Sequence, residues 1–185
     1  MSQPQVEFCG DHCLSAESLI GIYYDRAEDL ASFRYVPAEE VPQPYRELLA
    51  HENHMTVTVE RFHRDTVDVQ VLRDELRETV YHREILLKTH HAGVVVQYGI
   101  VRLYPRFLTQ EPLEEILSRQ KPLGRVLIEH DVLRHIELFD LLEVRCGRAL
   151  AEFFSVPIGT KTYGRTAILH CNNEPAIELL EIVRP

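Results

Sequence analysis

Tyr81-His-Arg-Glu-Ile-Leu-Leu87 lies inside a run, Thr79 to Lys88, that alternates as a β-strand does. Tyr81, Arg83, Ile85 and Leu87 share one face; Val80, His82, Glu84 and Leu86 share the other. Arg83 therefore sits among apolar neighbours. A guanidinium keeps its proton, and burying it alone costs several kcal/mol. If its face is the core face, Arg83 needs a carboxylate, from a ligand or from the protein itself. An internal Glu partner, or a position at a sheet edge, would answer the same need.

Working outward, Val94 to Tyr104 reads as a further strand ended by Pro105. Upstream, Met55-Thr-Val-Thr-Val-Glu-Arg-Phe62 alternates and predicts a strand, joined by a turn at His63-Arg64-Asp65 to a second from Thr66 to Arg73. Ser15 caps a predicted helix running to about Phe33, residues 34–44 are proline-broken, and a short helix follows to about Glu52. Downstream, residues 106–120 have helical spacing, and Gly124 is expected to allow close backbone approach. Residues 126–154 read as helical or irregular. Tyr163–Cys171 and Pro175–Arg184 form a predicted hairpin around Asn172-Asn173. The expectation is one α+β domain over residues 1–185, frayed over 1–14, with about six mostly antiparallel strands flanked by helices.

The chain has 185 residues, 45% hydrophobic and 26% charged, with a net charge of −9. That charge argues against nucleic acid as a partner and asks any anionic ligand for a local basic pocket. Lys occurs only at 88, 121 and 161, so positive charge is nearly all Arg. No apolar run approaches the ~20 residues of a membrane span. Four Cys without a leader pattern point to the cytoplasm and reduced thiols. Cys9-Gly-Asp-His-Cys13 lacks a second ligand pair, and the pairs His51/His54, His90/His91 and His130/His135 lack a third ligand at defined spacing, so no metal site is predicted.

The last strand carries a second anomaly. Glu181 alternates with Ile177, Leu179 and Val183, and Glu178 lies on the opposite face. Desolvation would raise the pKa of an inward carboxylate and suit it to proton transfer. A plain Glu181–Arg83 ion pair across neighbouring strands explains it equally well.

Four separated stretches resemble the chorismate lyase family. They are Leu48-Leu-Ala-His-Glu-Asn-His-Met-Thr56, Tyr81–Leu87, Lys121-Pro-Leu-Gly-Arg125, and Tyr163-Gly-Arg165 with Asn173–Pro185. The resemblance implies a chorismate lyase-like fold and a carbon–oxygen lyase that converts chorismate to 4-hydroxybenzoate and pyruvate. It places Arg83 on the ring carboxylate, Met55 and Leu123 at the ligand through their backbone N–H groups, and Glu181 as the acid at the hydroxyl and ether end. Between Pro175 and Glu181 the chain is one residue longer than the family pattern, which leaves Glu178 as an alternate. The resemblance implies no metal or organic cofactor, a small-molecule substrate, an aromatic product, a monomer or homodimer, and a place in ubiquinone or aromatic-acid biosynthesis. The second reading is a non-catalytic binder of small aromatic acids, related to the effector domains of bacterial regulators. With no room for a helix-turn-helix before residue 45, a stand-alone binder is expected over a complete regulator.

Overall fold

The computed structural model describes residues 14–185; the expectations for the N-terminal segment and for Cys9 and Cys13 fall outside them. The order is α1 (Ala16–Ile20), α2 (Ala27–Leu30), β1 (Ala31–Val36), α3 (Tyr45–Leu49), α4 (Met55–His63), β2 (Val67–Arg77), β3 (Val80–Thr89), β4 (Val95–Leu103), α5 (Gln110–Leu117), α6 (Leu123–Glu129), β5 (Leu133–Cys146), α7 (Arg148–Phe154), β6 (Lys161–Cys171) and β7 (Glu174–Val183). All seven strands join one open antiparallel sheet in the order β1-β5-β6-β7-β4-β3-β2. The α+β class expected from the sequence holds, with seven strands rather than six.

Both faces of the sheet are covered, so the central strands are buried on both sides. Leu86, Tyr98, Ile100, Leu142 and Leu180 pack with α1, α2 and α7 on one face. On the other face the core divides. Val101, Leu169 and Leu179 pack with α5 and α6, while Ile85, Leu87 and Val183 pack with α3 and α4. The division matters, because the candidate site lies between these two clusters.

Three local expectations are corrected. Residues 55–62 are a helix, not a strand: Met55, Thr56, Thr58 and Val59 are buried at helical spacing, so the packed face overrides the β-branched alternation. The expected helix to Phe33 stops early, and Ala31–Val36 becomes an edge strand paired with β5. Residues 133–146 are a long strand. Register shifts at Leu133/His135 and Leu138/Asp140 reset its alternation and hid it from a period-2 reading. By contrast, Asn172 and Asn173 adopt φ of 54° and 68°, the left-handed turn expected between β6 and β7. No helix of the described residues is long and apolar enough to cross a membrane.

Candidate functional site

Arg83 points into the gap between the two apolar clusters. Its side chain is 1% exposed, and its Nε and Nη1 have no hydrogen-bond partner. Burial pushes the guanidinium pKa down, with Tyr81 and Asp74 pulling the other way. Asp74 is itself engaged, accepting from the Tyr81 hydroxyl at 3.0 Å and pairing with Arg119 at 2.9 Å. Neither alternative raised for Arg83 applies. β3 is flanked by β2 and β4, so Arg83 is not at an edge, and among the described residues it forms no ion pair with a Glu.

Glu84 shows what a settled buried charge looks like on the same strand. It is 1% exposed on the opposite face. The hydroxyls of Tyr24 and Tyr98 each donate to its Oε1 at 2.6 Å, and Arg73 Nε donates to Oε2 at 2.7 Å. The chain surrounds one of two consecutive buried charges with donors and leaves two nitrogens of its neighbour without an acceptor.

Glu181 faces the same gap from β7 and is 7% exposed. Its partner is Arg165, directly opposite on β6, whose Nε donates to Oε2 at 2.7 Å. Gln97 Nε2 donates to Oε1 at 3.2 Å, and Gln97 Oε1 is left without a partner. The Glu181–Arg83 ion pair considered from sequence does not form, because β4 lies between their strands. The registers Arg83↔Val101↔Leu179 and Gly99↔Glu181 set the two residues two strands and two positions apart, on the order of 12 Å between Cα atoms. Glu178, the alternate, is on the other face, bound to Arg102 at 2.7 Å. It is excluded from the gap.

The space between is a pocket of about 550 Å³ of atom-free volume, open mouth included. Val101, Ile136, Leu169 and Leu179 wall one side, Ile85 and Leu87 the other. Gly99 contributes no side chain, and Ile85 packs over it: a Cβ there would lie 3.3 Å from Ile85 Cδ1. The roof is formed by the first turns of α4 and α6, through His54, Met55 and Thr56 and through Pro122, Leu123 and Gly124. N–H groups of a first turn have no acceptor inside their own helix. The two helices meet closely because residue 124 is Gly: a Cβ there would lie 2.8 Å from Thr56 Oγ1. Close approach at Gly124 was expected from sequence. His54 is half-buried, burial pushes its pKa down, and its Nδ1 is unpartnered.

The lining holds two arginines and one glutamate, a local excess of one positive charge in a chain of net −9. All four residues singled out from sequence, Met55, Arg83, Leu123 and Glu181, line this pocket. Sequence reasoning passed over His54, Gln97 and Gly99 and took Arg165 for hairpin structure. A glycine inside a strand pattern was a usable signal, since it marks close approach of a ligand or a second backbone.

No family model and no curated protein matches the chain by sequence. Solved structures match it in fold. The effector domain of PhnF from Mycobacterium smegmatis aligns with a TM-score of 0.56 at 11% identity, over 71% of this chain and 88% of that one. A structure of PhnF itself gives 0.55 at 11% identity, over 71% of this chain and 64% of that one. The ligand-binding domain of a GntR-family transcriptional regulator from Bordetella bronchiseptica gives 0.50 at 17% identity, over 63% and 85%. This chain has the fold of those regulator domains. It spans less than two thirds of the PhnF chain.

These neighbours correct the expected activity. Two are described as an effector domain and as the ligand-binding domain of a transcriptional regulator, and none of the three as a lyase. The expected chorismate pyruvate-lyase activity does not stand. The Glu181 carboxylate is already engaged by Arg165 and Gln97.

Proposed function

We propose that the pocket is a non-catalytic receptor for a small aromatic or cyclic carboxylic acid. The fully buried Arg83 guanidinium, whose Nε and Nη1 lack a partner among the described residues, carries this reading. A buried cation without an acceptor is costly, and a ligand carboxylate would supply the acceptor at little further desolvation, since the protein has already excluded water. The N–H groups at the start of α4 and α6, at Met55 and Leu123, favour the same negative end. At the far end, Glu181 and the free Gln97 Oε1 offer acceptors to a ligand hydroxyl or amine. The apolar walls between suit a single ring.

The descriptions of the fold neighbours as ligand-binding and effector domains support this reading over a turnover enzyme. Calorimetric titration with 4-hydroxybenzoate and with its methyl ester tests it. The acid should bind more tightly by at least roughly thirty-fold, the lower bound for losing a buried charge contact. Equal binding of acid and ester would overturn the role of Arg83. Release of pyruvate from chorismate would overturn the non-catalytic assignment.

A further inference from the structure

His135 and Glu137 lie two residues apart on β5, and His170 is paired with His135 across the ladder on β6. The register shift between Leu133 and His135 makes that pairing, bringing both histidines to one face. Their rings stack at 4.2 Å between centroids with an interplanar angle of 11°. His170 Nε2 lies 3.1 Å from Glu137 Oε2. One ligand atom from each of the three falls within 4.8 Å of the other two.

We propose that His135, Glu137 and His170 form a binding site for a divalent first-row transition metal, zinc foremost. Two imidazole nitrogens and one carboxylate oxygen are a borderline donor set, suited to zinc, copper or nickel and poor for calcium or magnesium. Ligand bonds of about 2.0–2.1 Å in a tetrahedron put ligand atoms about 3.3 Å apart. The His170–Glu137 edge already has that length. Small side-chain rotations close the rest, and His135 and Glu137 are exposed and free to make them. Three protein ligands leave a fourth position for water or a further donor. Ile136, between two of the ligands, pairs with Leu169, next to the third, and both wall the pocket on the opposite face. The metal would therefore tie together two strands that bound the ligand site.

The test is zinc titration of the full chain, without a polyhistidine tag, in a Cys9→Ser, Cys13→Ser background that removes the N-terminal thiols from competition. One zinc per chain is expected, with affinity lowered at least about ten-fold in His135→Ala and in His170→Ala. His90→Ala, whose ring pairs with Asp68 elsewhere on the surface, should bind as the parent does. Zinc should also raise the Tm of the parent and not that of His135→Ala, since only a ligand bound to the folded state stabilises it. Absence of binding to the parent, or unchanged affinity in either of those two variants, overturns the site.

Discussion

Arg83 and Glu84 are consecutive, equally buried and opposite in charge, yet Glu84 has donors on both oxygens while Arg83 Nε and Nη1 have no acceptor. That asymmetry makes a sharp expectation about stability. A structural arginine, once replaced, leaves the fold weaker. A ligand-seeking one leaves the empty protein stronger, because replacing an unpaired buried ion with an apolar side chain of similar length removes a desolvation cost. Arg83→Met should raise unfolding free energy in urea by about 1–4 kcal/mol and abolish the preference for 4-hydroxybenzoate over its ester. A destabilised variant would mean that Arg83 holds the fold rather than a guest. The sequence showed that Arg83 was out of place, since alternation alone puts it among Tyr81, Ile85 and Leu87. It could not show which atom answers it, because that depends on strand order.

At the scale of elements, Gly99 on β4 lines the pocket and leaves room for the Ile85 side chain beside it. A Cβ there would meet Ile85 Cδ1 at 3.3 Å, a tight contact with a flexible neighbour. Gly99→Val should fold, as valine favours strands, and its methyls should fill the floor beside Glu181. Affinity for 4-hydroxybenzoate should fall at least about ten-fold with far-UV circular dichroism unchanged. Undiminished binding would place the ligand elsewhere. The elements legible in the sequence were those with a clean period or turn: β3, β4, α3, α5 and the β6–β7 hairpin. Those missed have definite causes. β5 carries two bulges, and α4 is written in β-branched residues that only its packed face makes helical. The Glu181–Arg165 pair was hidden the same way. Counting back from the Asn172-Asn173 turn sets Glu181 against Gly164, and the register shift at Leu169/His170 moves it by one to Arg165.

For the whole molecule, three histidines, His51, His54 and His82, are all pushed to lower pKa first by burial. The unfolded chain takes up these protons near pH 6.5, and the folded chain resists them until lower pH. The unfolded state therefore binds more protons across that window, and stability falls as pH drops below about 6.5. His91, raised by its bond to Asp65, works in the opposite sense from an exposed position. The urea midpoint should be lower at pH 5.5 than at pH 7.5; equal midpoints would contradict the burial of these rings. The α+β class and antiparallel sheet were open to sequence reasoning. The activity was not, because the same residues around the same hollow serve turnover or capture, and residue types alone do not separate them.

Arg165 grips two things at once. Its Nε holds Glu181, while its Nη1 donates to the carbonyl of His51 at 2.7 Å and to that of Leu49 at 3.4 Å, and its Nη2 donates to that of Asn53 at 3.4 Å. Those carbonyls belong to the strap that leads directly into His54 and Met55 over the cavity. A guest hydrogen-bonding Glu181 draws on the same guanidinium that moors this strap. A guest that pulled Glu181 away from Arg165 would therefore loosen the mooring of the loop outside the cavity.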